Sequence, residues 1–584
     1  TSGNNNDFTQ DLYVSSVTDG IGFEDIVLDS PTNNFSVMNA LFAGNSAVTG
    51  VAGEGNLKVL TGGFSSSLYG TISTFAIPKD KKIYIEVVET GVNGTNWFAG
   101  FATSPTGLNA GPSSTNVGGA SSVTYYNRAV FKNGTEFQYH SNDGLGGLGG
   151  GTNPLQAGDI LGLAIDGSNG KIWFHKNGTY FKTISSHNTS GAVGNTGNPS
   201  AGTDELATID TPTEDIFFVV GGGTSTDNLF VNFGQDSQNV TTANADANDI
   251  GTFEYAPPTD YVALCASNLT DTDIGPNQSE QADDNFNTVF YTGNSGTQSI
   301  TGVGFQPDWL WVKNRGHTYS HALVDSVRGA TLSLSSNENS AERTSDITSL
   351  DSDGFSLQFV NATGTYSENQ GSGAVTYAYV SWNWKAGGSA NTFNVDGTGH
   401  SSMSNAGLSD GTQALTGLSV NTTSKFSIAT FTMPDAERTV AHGLGVKPDW
   451  IIFKNHGTGD WQIWHNSFAE NGDEVILLNS TAGKANAGGA GNWFQSLSST
   501  LVGLGSYGSY FGTGDYVMYS FASVEGFSKI GTYKGLGSTN PFVYTGFRPV
   551  FILLKELASR NWVISYDHST YYNGVTQSLF PNIQ

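Results

Sequence analysis

One phrase of this chain occurs three times. Gly302-Val-Gly-Phe-Gln-Pro-Asp-Trp-Leu-Trp-Val-Lys-Asn314 returns as Gly443-Leu-Gly-Val-Lys-Pro-Asp-Trp-Ile-Ile-Phe-Lys-Asn455, and again as Tyr544-Thr-Gly-Phe-Arg-Pro-Val-Phe-Ile-Leu-Leu-Lys555. A third recurrence is beyond chance, so the second half reads as an internal repeat. In each copy Gly-x-x-Pro closes a turn, because proline fixes φ and lacks the N–H that a ladder needs, and an apolar run follows at once. Trp309 and Trp311 fall on one face of that strand, Leu310 and Val312 on the other. Both faces are apolar, so the strand is expected inside a sheet.

The parallels continue downstream. His321-Ala-Leu-Val-Asp325 matches Trp461-Gln-Ile-Trp-His465 and Asn561-Trp-Val-Ile-Ser565, and aliphatic strands follow at Leu332–Leu334 and Val475–Leu478. The first copy closes with Val375-Thr-Tyr-Ala-Tyr-Val-Ser-Trp-Asn-Trp384 and the second with Asp515-Tyr-Val-Met-Tyr-Ser-Phe-Ala522, so each reads as a sandwich of its own. Pro307, Pro448 and Pro549 lie 141 and then 101 residues apart. A parallel β-helix, with rungs of roughly 20–30 residues, does not repeat on that scale. Trp382 lies 75 residues after Pro307, and the same step from Pro549 falls at about 624, beyond Gln584. The third copy is therefore expected to belong to a fragment, or to complete itself from a longer product; a measured native mass matching the 61.5 kDa of this sequence would count against that.

Between about Asn33 and Gln235 short alternating strands are separated by Asn-Gly turns. Phe131-Lys-Asn-Gly-Thr-Glu-Phe137 and Phe174-His-Lys-Asn-Gly-Thr-Tyr-Phe181 each read as a hairpin, since Asn and Gly tolerate the positive φ of a type I′ turn. Gly158-Asp-Ile-Leu-Gly-Leu-Ala-Ile-Asp166 followed by Lys171-Ile-Trp-Phe-His-Lys-Asn-Gly178 resembles the SPRY signature. Ile83-Tyr-Ile-Glu-Val-Val88, Phe98-Ala-Gly-Phe-Ala-Thr103 and Leu229-Phe-Val-Asn-Phe-Gly234 add to it. The resemblance implies a two-sheet sandwich that binds through loops at one end, and names no ligand.

The repeats resemble an uncharacterised domain of tail proteins from phages of marine bacteria. The likeness rests on Gly304 to Arg315, on Val324-Asp-Ser-Val-Arg-Gly-Ala330, on Leu350-Asp-Ser-Asp-Gly-Phe355 and on Ser381-Trp-Asn-Trp-Lys-Ala-Gly387; Asp29-Ser-Pro-Thr-Asn-Asn-Phe35 fits such proteins too. It implies a virion protein and no chemistry.

Composition narrows the partners. With 24 Lys plus Arg against 51 Asp plus Glu the net charge is −27, the wrong sign for phosphate backbones or anionic leaflets. Neither nucleic acid nor membrane insertion is expected. The 76 glycines, about twice the usual share, favour many turns over long helices. Cys265, the single cysteine, cannot form an internal disulfide. Thr1 to Asp7 carry no basic or apolar stretch, and no eighteen apolar residues run together. A surface protein without either signal is expected to be a processed fragment or part of a particle released by lysis, as phages are.

Motifs that could carry chemistry fail on context. Gly144-Leu-Gly-Gly-Leu-Gly149 has dinucleotide-binding spacing but no helix-forming segment behind it, and reads as a loop. Gly407-Leu-Ser-Asp-Gly411 matches a nucleophile elbow without its strand-turn-helix. Asp351 with Asp353, or Asp271 with Asp273, could be drawn as a carboxylate pair; the first is better read as a turn in which Asp caps N–H groups. No histidine has ligand spacing to Cys265 or to another histidine. No catalytic residue, metal or cofactor is expected. Burying a Trp or Tyr gains on the order of 4–6 kcal/mol gross, so Trp173, Trp309, Trp382 and Trp450 are assigned to cores. Tyr125, Tyr126, Tyr366 and Tyr507, in polar surroundings, are the candidates for an exposed ligand-binding surface.

The expected fold is all-β, a string of sandwiches. It comprises a connecting segment at 1–32, a SPRY-like sandwich at 33–235, a linker at 236–285 and repeat sandwiches at 286–388 and 424–526. A Gly/Ser/Thr-rich linker at 389–423 and an incomplete third repeat at 527–584 complete it. The expected function is a non-enzymatic virion protein, exposed on the particle, that mediates host attachment as a tail fibre through many weak contacts. Its partners would be other virion proteins, further copies of itself in a trimer, and a host glycan or protein receptor. The rivals are a head fibre or decoration protein, a tail-spike polysaccharide depolymerase and a bacterial adhesin.

Overall fold

The computed structural model describes residues 33–39, 54–61, 69–89, 96–102, 127–133, 136–141, 144–147, 157–181, 196–209, 215–222, 227–235, 240–272, 274–275, 278–360, 366–371, 377–434, 436–470, 472–486, 493–505, 512–533, 535, 543–566 and 578–583. Strands make up 45% of the structure, and among the described residues no helix reaches seven residues. The chain is all-β, with several separate sheets arranged as tandem β-sandwiches. It divides into two compact units, Thr1–Thr270 with Tyr533–Tyr544, and Asp271–Thr532 with Thr545–Gln584.

The first unit is a sandwich of two sheets. One runs in the order Lys58–Thr61, Asp227–Asn232, Lys82–Glu89, Ile160–Asp166, Lys171–Lys176, Thr179–Tyr180; the other Tyr69–Ile72, Phe217–Gly222, Asn96–Ala102, Asn127–Asn133, Glu136–Ser141, Gly144–Gly147. Ile83, Ile85 and Val87 alternate inward against Trp97, Phe101 and Phe218 in the core. The hairpin at Asn177-Gly178 is as expected: both residues have positive φ, 48° and 80°, and Lys176 pairs with Thr179. The other hairpin pairs Asn133 with Glu136, its turn lying outside the described residues.

Two expectations change here. Gly144–Gly147 was expected as a loop but pairs with Glu136–Ser141, because a glycine run has no side chains to obstruct an antiparallel partner. Within the stretch expected as a linker, Tyr261–Val262 runs parallel to Lys82–Ile83. Phe253, Tyr261 and Ala263 there bury themselves with Phe35, Tyr84 and Trp173.

In the second unit, two sets of strands follow one order. Each begins with a first strand (Phe286–Thr292; Phe426–Met433) and contains the motif strand (Trp309–Asn314; Trp450–Asn455) with its hairpin partner (Ala322–Asp325; Gln462–His465). Each ends in a closing strand (Ala378–Trp384; Gly514–Phe521) that inserts between the first strand and the motif strand. A three-stranded sheet accompanies each set: Thr297–Thr301, Gly354–Gln358 and Ile347–Asp351 in one, Arg438–Ala441, Leu501–Leu504 and Phe494–Leu497 in the other. The turn glycines Gly304 and Gly445 have φ of 88° and 71°, which is why the phrase needs glycine there.

The two faces of the first motif strand go to different places. Leu310 and Val312 pack under the three-stranded sheet with Ile347, Phe355 and Leu357. Trp309, Trp311 and Trp382 join a core shared with Phe426, Ile451 and Tyr519 of the second set. The sets are thus fused through their tryptophan face rather than strung apart. The stretch 389–423, expected as a linker, carries Phe393–Val395, Thr398–His400 and Leu415–Asn421, which extend the second set's sheet to nine strands. Leu415, Leu418 and Val420 are buried in it, an apolar pattern masked by the glycine and serine around it.

The third occurrence forms a hairpin, Phe551–Leu554 with Val563–Tyr566. Its register corrects the sequence match by one residue. Phe551 stands opposite Tyr566 as Trp309 stands opposite Asp325 and Trp450 opposite His465, so Trp562, not Asn561, is the counterpart of His321.

Candidate functional site

Each motif strand ends in a lysine that holds the loop behind it. Lys313, 4% exposed, donates to the carbonyls of Tyr319 and of His317 (3.5 Å), and burial pushes its pKa down to about 8. Asn314 Oδ1 accepts the N–H groups of Gly316 (2.9 Å) and His317 (2.8 Å). Lys454 repeats this on Asn455 (2.6 Å) and Gly457 (2.9 Å), and Lys555 on Thr481, Ala558 and Arg560. For Lys313 and Lys454, a buried ammonium with its protons on carbonyls is worth more than a neutral bond and fixes the loop in advance.

What the loops carry differs. In the first, exposed His317 stacks on Tyr377 at 4.5 Å between ring centroids and 19° between planes, and Tyr319 lies 6.2 Å from Tyr377 at 28°. Burial, then the neighbouring Tyr377, raises the Tyr319 pKa. The second loop faces inward: Gly459 N–H donates to Asn339 (2.8 Å), and His456 C=O accepts from Glu342 N–H (2.8 Å). A rigid loop presenting stacked rings to water suits a flat apolar ligand face such as that of a sugar.

Of the tyrosines singled out from sequence, Tyr366 lies on this side of the first set, half-buried and already engaged. Its hydroxyl donates to Glu338 Oε2 at 2.5 Å, and the Arg343 guanidinium lies 4.4 Å from its ring centroid. Glu338 Oε1 also accepts from Ser320 (2.8 Å), the neighbour of Tyr319, so Tyr366 supports the surface from behind. Tyr125, Tyr126 and Tyr507 lie outside the described residues. Trp173, Trp309 and Trp382 are buried and Trp450 half-buried. His317, Tyr319 and Tyr377 come together from separate loops, which sequence does not show; the legible signal was His317 and Tyr319, three and five residues after the repeated Lys-Asn.

Asp351 and Asp353 are committed to structure, and Asp273 lies outside the described residues. Asp353 accepts the N–H groups of Gly304 (2.7 Å) and Gly302 (3.1 Å), bonds that lower its pKa, while Asp351 accepts from Ser349 (2.8 Å) and Ser356 (2.7 Å). The turn expected there therefore caps the repeated phrase itself. Cys265 is buried. Among the described residues no three His, Cys, Asp or Glu side chains gather as metal ligands would.

A sealed relay occupies the first unit. Gly178 N–H donates to His175 Nδ1 (3.1 Å), which leaves the ring proton on Nε2, 2.7 Å from the Tyr84 hydroxyl. Tyr84 donates in turn to Glu86 (3.0 Å), whose oxygens also accept the N–H groups of Tyr255 (2.8 Å) and Glu254 (3.0 Å). Gly162 stands opposite His175, where an added Cβ would lie 1.8 Å from Nε2, so the strand needs glycine there. His175, Tyr84 and Glu86 are 0% exposed, and the chain of bonds clamps residues 253–255 onto the sheet.

Burial pushes Glu86 up to about 6 from 4.5 and His175 down to about 3 from 6.5. The histidine loses the fold stability as pH falls below 6.5, at about 1.4 kcal/mol per pH unit. The glutamate's contribution is full below 4.5 and lost as pH rises through about 6. Between those values the slopes cancel. His175→Gln is expected to unmask the glutamate, so that hydrogen-exchange protection of Lys82–Glu89 rises on acidification from pH 6 to 4.5 while the parent stays flat. A parent that rises as steeply as the variant contradicts this.

The family model described as a domain of unknown function (DUF7483) matches residues 281–584, and the chain belongs to that family. No curated protein matches it. Among solved structures, the SPRY domain of human HERC1 is similar at 11% identity over 30% of this chain and 87% of that one, with a TM-score of 0.18, too low to carry an argument.

Proposed function

We propose that this chain is a non-enzymatic bacteriophage virion protein, exposed on the particle, that attaches to the host through many weak contacts. The observation that carries the attachment reading is the lysine-braced loop with His317 exposed beside Tyr319 and Tyr377. A platform ordered before binding loses little entropy to its ligand, and many copies on one particle supply the avidity that one weak site lacks. The virion reading is supported by the likeness of the repeated phrase to phage tail domains. The common strand order of residues 286–384 and 426–521 supports two copies of one unit. The acidic, turn-rich composition suits an exposed, non-aggregating surface.

A tail appendage is preferred over a head fibre because host attachment happens at the tail. A depolymerase would need two carboxyl groups about 5–10 Å apart in an open cleft, whereas Asp351 and Asp353 are taken up by a turn. Immunogold labelling of purified particles with antibody to the first unit tests the placement. Gold at the distal tail is expected, gold on the head makes the chain a decoration fibre, and label confined to cells sinks the virion reading. Free protein should compete with phage for host cells, and His317→Ala with Tyr319→Ala should abolish that competition.

A further inference from the structure

One contact of the second unit is made three times, by residues whose names conceal the repeat. The three hairpins run in matching register, with Leu323 opposite Trp311, Ile463 opposite Ile452 and Ile564 opposite Leu553. His321, Trp461 and Trp562, each two residues earlier, are therefore equivalent, and all three are buried. The strand behind each hairpin matches as well, since Leu334, Ile476 and Leu579 pair with Leu323, Ile463 and Ile564. Three residues past each of these stands an asparagine whose Oδ1 accepts a backbone N–H. Asn337 takes that of His321 (3.0 Å), Asn479 that of Trp461 (3.1 Å) and Asn582 that of Trp562 (2.9 Å).

The three side chains then reach a neighbouring copy. Trp461 Nε1 donates to the Ser335 carbonyl (2.9 Å) and Trp562 Nε1 to the Leu477 carbonyl (2.8 Å), so the second set bonds to the first and the third hairpin to the second set. His321 Nε2 lies 3.1 Å from the Phe580 carbonyl and joins the first set to the strand behind the third hairpin. Ser335, Leu477 and Phe580 directly follow Leu334, Ile476 and Leu579, so the acceptors are equivalent too. A head-to-tail contact repeated in this way closes a circle.

Two of the joints are made by an indole, which neither gains nor loses a proton near neutral pH, and the third by an imidazole, which does. Trp311 Nε1 donates to His321 Nδ1 (2.9 Å), which leaves the imidazole proton on Nε2, facing Phe580. A second proton would have to sit on Nδ1, against a donor that cannot accept it. Its charge would be buried beside the Lys313 ammonium, with the uncharged Phe580 carbonyl and Ile583 backbone on the other side. His456, in the seam of the first two sets, instead has Glu342 3.9 Å away to offset a charge.

We propose that the His321 joint is an acid-operated latch, the first of the three to open as pH falls, from which residues 579–582 peel away. Ser336 Oγ, which donates to the Pro581 carbonyl (2.7 Å), is the second contact that the latch gives up. Burial, then Lys313, holds the His321 pKa well below its ordinary 6.5 while the latch is shut. Once open, the imidazole meets water and takes up one proton at its ordinary value. The latch is thus fully favoured above pH 6.5, and the open population grows about tenfold per pH unit below it.

The inference does not rest on the attachment reading. Hydrogen exchange of the full chain from pH 7 to 4.5, corrected for the intrinsic rate at each pH, tests it. The Ile564 and Leu579 amides bond to each other's carbonyls (2.7 and 3.0 Å), and their protection is expected to fall about tenfold per pH unit below 6.5. The equivalent Leu323 and Leu334 amides (2.8 and 3.0 Å) should hold. His321→Gln keeps a neutral donor for Phe580 and an acceptor for Trp311, and should remove the acid response. A flat parent overturns the latch, as do both amide pairs falling together, or a glutamine variant that follows the parent. Should that variant not fold, nitrogen-15 spectra of labelled histidines in the parent decide. His321 is expected to stay neutral until the Ile564 and Leu579 amides lose protection, and titration near pH 6.5 with those amides still protected overturns the inference.

Discussion

Replacing Arg328 with Met is expected to destabilise the second unit by about 3–5 kcal/mol, the usual loss when one member of a buried ion pair is removed. Arg328 Nε lies 2.6 Å from Asp325 Oδ2, and the two side chains are 1% and 0% exposed. The same guanidinium meets Glu342 (3.3 Å), donates to the Leu323 carbonyl (3.1 Å) and reaches the Tyr519 hydroxyl (3.4 Å), which itself donates to Asp325 (2.7 Å). Burial opposes the charge, but the Asp325 carboxylate beside it prevails and raises the arginine's pKa above its ordinary value. With the Arg328 side chain gone, Asp325 remains buried with the backbone N–H groups of positions 327 and 328 and the Tyr519 hydroxyl as its partners. Lysine is not an adequate replacement, because one ammonium cannot serve four partners in a plane. Urea unfolding gives the loss directly, and adding Asp325→Asn to Arg328→Met should recover most of it. A single-variant loss under about 1 kcal/mol would mean the site opens to water.

The second large effect is expected at Trp309, where alanine should cost about 3–5 kcal/mol. The ring lies 4.6 Å from Tyr519 and from Trp384, and 5.9 Å from Phe426 and Phe521, so it fills the seam between the two strand sets. Trp450, at the matching place in the second phrase, is half-buried and has Trp562 at 6.0 Å and His465 at 6.2 Å. Its alanine variant should lose clearly less. Equal losses at the two positions would contradict the idea that the sets are joined through the first tryptophan face. Trp309→Phe should be milder than alanine, since the Trp309 Nε1 proton has no acceptor to forfeit.

The repeated phrase made much of the second unit legible. Proline, turn glycine and two-residue alternation together predict an internal strand whose faces differ, and Trp309 and Leu310 do part company as expected. Alternation says which way a residue points but not what covers it. Hence the shared core could not be foreseen, nor the role of Asp308, whose partner Ala386 lies 78 residues away. Leu415–Asn421 hid for a compositional reason, its apolar residues being spaced by Gly, Ser and Thr. At the candidate surface, Tyr366 was chosen because its neighbours in sequence are polar, yet Glu338 and Arg343, distant in sequence, settle its role. The buried Lys313 was the least legible residue, since a lysine after an apolar run reads as the point where a strand leaves the core.

In both strand sets the last strand to be synthesised is the one that belongs in the middle. Phe286–Thr292 and Trp309–Asn314 share no hydrogen bonds with each other and meet only through Ala378–Trp384. At an elongation rate of about 5–20 residues per second, several seconds pass between the release of the third strand and the arrival of the strand that joins it to the first. For that interval Trp309 and Trp311 belong to a nascent hairpin with one bare edge. The same wait recurs between Trp450–Asn455 and Gly514–Phe521. Yield in a producing cell should therefore depend on translation speed and chaperone supply over these two windows more than on the stability of the finished protein.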